Sequence, residues 1–87
     1  MSTGELHTDA NNIAGLLQDV FVGEITTSLR TCQSCGEEHP IGSHLLYRSA
    51  GHVLRCPACG DVAASITALP GHYAIHLRGT WRVERPR

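Results

Sequence analysis

Cys32-Gln33-Ser34-Cys35-Gly36 and Cys56-Pro57-Ala58-Cys59-Gly60 together hold every cysteine of the chain, and twenty residues separate Cys35 from Cys56. Each pair has the spacing C-x-x-C with Gly directly after it, a pattern that reads as a metal site. A turn of this kind aims two sulfurs at one ion while amides inside the turn donate to the thiolates. The Gly after each pair takes a positive φ that would strain a residue with a Cβ. The twenty residues between the pairs are enough for a hairpin that brings the two turns together. Four thiolates at ~2.3 Å in a tetrahedron suit Zn²⁺ and close its coordination shell, so the ion would be structural. The sequence therefore predicts one Zn²⁺ per chain on Cys32, Cys35, Cys56 and Cys59. A site of this type contributes ~10–16 kcal/mol in apparent terms.

Three rivals share the same cysteines. Two disulfides need an oxidising compartment, and Met1–Asp9 has neither the basic start nor the apolar stretch of a signal peptide. The expected location is the cytoplasm. A redox C-x-x-C belongs ahead of a helix in a βαβ unit, whereas both pairs here are flanked by strand-like sequence. Iron is the alternative metal, because Cys-x-x-Cys-Gly and Cys-Pro-x-Cys-Gly also resemble the rubredoxin pairs. The spacer here is shorter than rubredoxin's and lacks its aromatic cluster.

Outward from the cysteines, the chain explains why it needs such a staple. It has 87 residues, 41% of them hydrophobic and only four aromatic, Phe21, Tyr47, Tyr73 and Trp81. That is one domain with a thin core. No apolar run approaches the ~18 residues of a membrane span. All seven basic residues are Arg; they face eight acids for a formal charge of −1. Four thiolates and one divalent ion would take the charge to about −3. Composition alone thus gives no polybasic signature of nucleic-acid binding.

Ile13, Leu16, Leu17, Val20 and Phe21 recur at i, i+3, i+4, i+7 and i+8, one face of an amphipathic helix. Asp9, Asn11 or Asn12 can cap it and Gly23 can end it, so residues 9–23 are predicted helical. Gly15 inside it costs ~1 kcal/mol against Ala. Residues 1–8 read as a flexible tail, 24–83 as the metal-binding domain and 84–87 as a basic tail. Within 24–83, strands are expected at Ile25–Thr31, Ser43–Ser49, His52–Cys56, Asp61–Leu69 and around Tyr73–Leu77. Pro70-Gly71 fits the centre of a type II turn, and Gly79 is placed to bend the chain before Trp81. The fold class expected is a small metal-stabilised α+β protein: an N-terminal amphipathic helix, then an antiparallel sheet of about five short strands. The helix stripe is expected to pack on that sheet through Val62, Ile66, Ile75 and Leu77.

With the two C-x-x-C-G turns on hairpins, Thr26–Leu77 resembles the zinc-ribbon superfamily, and the four cysteines match its ligand positions. The whole chain further resembles a family of small uncharacterised high-GC bacterial proteins. Those join a helix, here Asn12-Ile13-Ala14-Gly15-Leu16-Leu17, to a ribbon with two Cys-x-x-Cys-Gly motifs. The resemblance implies a structural zinc and no established activity. Because many zinc ribbons serve transcription and translation, it also keeps nucleic acid in view.

The remaining polar residues add no catalytic arrangement. There is no Gly-rich phosphate loop, no G-x-S-x-G, and no H-x-E ahead of the cysteines as in zinc deaminases. His39, His44, His52, His72 and His76 show no helical H-x-x-x-H pair and read as solvated or core-edge residues. Tyr47, Tyr73 and Trp81 at strand spacing read as core. Arg78, Arg82, Arg85 and Arg87 read as a solvated tail. The expected function is a non-enzymatic zinc-binding adaptor for a protein partner, as a monomer or weak homodimer and with no membrane attachment. Nucleic-acid binding is the alternative, and a rubredoxin-like electron carrier ranks third.

Overall fold

A computed structural model describes residues 8–21, 24–48 and 50–83. Residues 1–7, Val22, Gly23, Ser49 and the basic tail 84–87 lie outside the described residues. The cap expected at Asp9 is present: its Oδ1 accepts from the Asn11 amide at 3.1 Å. The expected single helix is divided in two. Ala10–Ile13 form a 3₁₀ turn, and the α-helix α1 spans Ala14–Phe21. Adjacent Asn11 and Asn12 are poor helix-interior residues, and the Ala10 amide is held at 2.9 Å by the His44 carbonyl. Four of the five stripe positions reach the core, and Val20 is only half-buried beside it. Ile13 and Leu17 are buried, with Leu16 and Phe21 packed against the same cluster.

Among the described residues, eight short strands form two antiparallel sheets. They are β1 (Thr8–Asp9), β2 (Leu29–Thr31), β3 (Glu38–Pro40), β4 (Leu45–Arg48), β5 (His52–Arg55), β6 (Val62–Leu69), β7 (His72–Leu77) and β8 (Thr80–Trp81). The five-stranded sheet runs β1-β4-β5-β6-β7 and the three-stranded sheet β3-β2-β8. The molecule is thus a small α+β fold with one N-terminal helix, an antiparallel five-stranded sheet and a four-cysteine cluster, as expected of a metal-stabilised domain.

Several boundaries move. The stretch read as a strand from Ile25 is a turn at first, with Ser28 N donating to Ile25 O at 2.9 Å, and pairs only from Leu29. Ile41–Ser43 are a 3₁₀ turn ahead of β4. The Pro70-Gly71 turn is present, with Gly71 at φ +82° closing the register Leu69↔His72.

Leu17, Ile41, Leu46, Leu54 and Ile66 are all less than 3% exposed and form the centre of the core, with Ala10, Ile13, Ile25, Ala63 and Ala64 around them. Burying each large side chain stabilises by roughly 1.5–3 kcal/mol. Of the sheet partners expected for the helix, only Ile66 is in this cluster. Val62 is half-buried, while Ile75 and Leu77 stay 41% and 42% exposed. The reason is reach: an eight-residue helix is about 12 Å long and covers the middle of a sheet whose last strand is β7. Tyr73, also read as core, is 40% exposed. Trp81 is half-buried and stacks on Phe21 with ring centroids 5.8 Å apart, and its Nε1 donates to Arg78 O at 2.8 Å.

Candidate metal centre

The first C-x-x-C turn joins β2 to β3 and the second joins β5 to β6, so each sheet contributes one. Their backbones repeat bond for bond. Cys32 N donates to Glu37 O and Cys56 N to Asp61 O, both at 2.9 Å; Gly36 N donates to Cys32 O at 3.1 Å and Gly60 N to Cys56 O at 2.9 Å. The third residue of each turn then points its amide at the first sulfur. Ser34 N reaches Cys32 Sγ at 3.3 Å and Ala58 N reaches Cys56 Sγ at 3.4 Å. Gly36 and Gly60 sit at φ +77° and +82° with open space where a Cβ would stand. Their requirement is conformational, as the sequence implies.

The four sulfurs converge. All lie within 4.8 Å of one another, and Cys32–Cys59 and Cys35–Cys56 are each 3.7 Å apart. Metal–sulfur bonds of ~2.3 Å in a tetrahedron require sulfur separations of about 3.8 Å. All four cysteines are unbridged. The site can therefore hold a metal ion, and its four thiolates would complete a tetrahedral shell. Among the described residues these cysteines are the one group of three or more His, Cys, Asp or Glu side chains gathered closely enough to do so.

The thiols influence one another electrostatically. The Cys35 amide, helped by that of Ser34, lowers the Cys32 pKa to about 6. Cys35 is pushed up to about 12: the Glu37 amide opposes the rise, but desolvation and the neighbouring thiols outweigh it. Cys59 is also raised, against the pull of the Asp61 amide, by desolvation and by Cys32. Cys32 gives up its proton readily while Cys35 and Cys59 hold theirs, because burial and like charges at this distance both disfavour a second thiolate. A divalent cation removes that obstacle by supplying the missing positive charge.

A hydrogen-bonded network behind the sulfurs ties the two turns together, and nothing in the spacing of its residues signals it. Asp61, next to Gly60, accepts from Gln33 Nε2 at 2.7 Å and from the Ser34 hydroxyl. Ser34 first, then the Val62 amide, holds its carboxyl below the usual carboxylate range. Gln33 Oε1 in turn accepts from Arg30 Nη2 at 2.6 Å. Arg30 is 1% exposed, and it also donates through Nε to Arg78 O at 3.0 Å and through Nη1 to His44 Nε2 at 3.2 Å. His44 is buried rather than solvated. Its Nδ1 donates to Pro40 O at 3.0 Å, so the ring is neutral with Nε2 free to accept from Arg30. Burial above all lowers its pKa, and the Arg30 charge adds to that.

Of the other candidate residues, His39 pairs with Glu37 at 3.0 Å, and His72 and His76 are exposed. Tyr47 lies under the Arg55 guanidinium at 5.7 Å, and Arg55 Nη1 braces Gly60 O at 2.9 Å. Arg78 faces Asp61 at 3.7 Å and Arg82 faces Glu38 at 3.1 Å. No helix among the described residues is long and apolar enough to cross a membrane. No curated protein and no solved structure matches the chain. The whole of residues 4–87, helix and cysteine turns together, fits one family model, and the chain belongs to that family, the family of unknown function DUF6510.

Proposed function

We propose that this is a zinc-ribbon-type protein: one structural Zn²⁺ on Cys32, Cys35, Cys56 and Cys59 secures a non-catalytic surface for a protein partner in the cytoplasm. The observation that carries the reading is the closed set of four sulfurs on two matching turns. A thiolate tetrahedron suits Zn²⁺ and leaves no coordination position for water or substrate, which an ordinary hydrolytic zinc site needs. Four unbridged cysteines suit a reducing compartment.

Protein is favoured over nucleic acid because Arg78 and Arg82 already face Asp61 and Glu38. Meanwhile Leu69, Tyr73, Ile75 and Leu77 stand exposed on one hairpin. Elemental analysis with native mass spectrometry tests the first half, with one zinc per chain expected. A red, iron-loaded protein would replace zinc by the rubredoxin-like alternative. Affinity capture from lysate tests the second half, with Ile75→Lys as control. Binding to single-stranded nucleic acid that weakens steeply with salt and is lost in Arg78→Ala/Arg82→Ala would reverse the choice of partner.

A further inference from the structure

All six residues of β7 are exposed, and among the described residues β7 is a terminal strand of its sheet. Tyr73, Ile75 and Leu77 pair with Ala68, Ile66 and Ala64, of which Ile66 and Ala64 are core residues. The exposed row therefore continues the core face past the end of its helical cover. The backbone direction is fixed as well. Arg78 N donates to Ala63 O at 2.9 Å in the same register as the β6–β7 ladder. Alternation along an antiparallel pair then turns the N–H and C=O groups of His72, Ala74 and His76 toward β6 and those of Tyr73, Ile75 and Leu77 outward. His72–Leu77 has no Asp, Glu, Arg, Lys or Pro and no register shift. It lacks the devices that normally blunt an open edge.

We propose that β7 pairs antiparallel with β7 of a second copy about a two-fold axis at Ile75, joining two five-stranded sheets edge to edge. In that register Ile75 opposes Ile75, Tyr73 opposes Leu77, and every outward-facing backbone group of the three residues finds its counterpart. The strand is its own complement, which singles out a second copy as the occupant. Side chains that leave about two-fifths of their surface in water, with the strand backbone, come to a few hundred Å² per copy. Stable interfaces use about 800 Å² per partner, so the dimer is weak and concentration-dependent.

The proposal rests on reading the β7 row as an interaction surface, and it names what covers it. Sedimentation velocity on the metal-loaded full chain, from low micromolar to near-millimolar concentration, is expected to show a monomer–dimer equilibrium. Ile75→Lys sets two like charges against each other across the axis. It should leave a folded monomer throughout, since the position is already exposed. The double variant Tyr73→Glu/Leu77→Lys places opposite charges face to face only in this register, and its dimer should persist at low salt and weaken as salt is added. A wild-type monomer at every concentration overturns the proposal. So does a dimer indifferent to Ile75→Lys, or a double variant that fails to associate at low salt. If the wild type is monomeric but captures a lysate protein that Ile75→Lys loses, the adaptor reading stands and the self-pairing falls. If neither association occurs, both fall.

Discussion

The two sheets are buried by opposite means. Under the five-stranded sheet lie Leu46, Leu54, Ala64 and Ile66, closed over by Ile13 and Leu17. At the centre of the three-stranded sheet lies the guanidinium of Arg30, held by Gln33, His44 and the Arg78 carbonyl. One half is apolar and tolerant of small shifts; the other is polar and depends on every donor finding its acceptor. Each half carries one of the two matching C-x-x-C turns, so the sulfur cluster lies on the seam. A metal held there would do more than add stability: it would fasten a hydrophobically driven sheet to one whose strands are only two or three residues long.

Withdrawing the metal at neutral pH is the largest test of this contrast, since such sites contribute ~10 kcal/mol or more in apparent terms. The fold should be largely lost, by chelation or by changing any one of the four cysteines to Ser. Amide exchange should reach β2, β3 and β8 first, with residual protection confined to β5 and β6. Simultaneous loss in both sheets would make the domain one cooperative unit and end the distinction.

Leu17→Asp attacks the apolar half by burying an unpaired charge among aliphatic side chains. It should lower the stability of the metal-loaded protein by about 3–5 kcal/mol, measured by denaturant unfolding. An unchanged melting temperature would mean that the helix is not the cover of the five-stranded sheet.

Arg30→Met attacks the polar half. It leaves Gln33 Oε1 and His44 Nε2 without their donor and should cost about 2–3 kcal/mol. Replacing a buried charge by an apolar side chain is sometimes neutral or stabilising. That result would show the three-stranded sheet to be held by the metal alone.

The smallest effect is the pH dependence of His44. Its folded pKa lies below the ordinary imidazole value of 6.5. The stability tied to its neutral form is therefore complete above that value and is lost as pH falls from there through the folded pKa. Between pH 7.5 and 6 the loss should be under about 1 kcal/mol, and the slope should flatten in His44→Gln. An identical slope in the variant would assign the acid sensitivity to the cysteines instead.

Much of the apolar half is legible in the sequence because its elements have period and punctuation. The stripe from Ile13 to Phe21, the alternation after Cys59 and the Pro70-Gly71 turn each arise from local chemistry. The cysteine turns are legible for the same reason, as spacing and glycine together encode the geometry. The polar half is not. Strands of two or three residues, such as β3 and β8, carry no periodicity, so one sheet is expected where there are two. An Arg inside a β-prone stretch gives no sign of being buried, because its partners Gln33, His44 and Arg78 arrive from three other places in the chain. The placing of Ile75 and Leu77 under the helix fails on distance, which alternation along a strand does not encode.

The cysteines of each turn are unlike in one respect: Cys32 and Cys56 are buried, whereas Cys35 and Cys59 are exposed. An ion in this cluster would be walled on one side and approachable on the other. Retention and handover then come under separate control. How tightly the ion is kept depends on all four sulfurs, but how fast it leaves depends on whether an incoming thiol or chelator can displace Cys35 or Cys59 while the inner pair still grips. Such a route is associative. The rate of metal transfer to a chromogenic chelator should rise in proportion to chelator concentration, and a rate independent of it would mean that the ion escapes only when the fold opens.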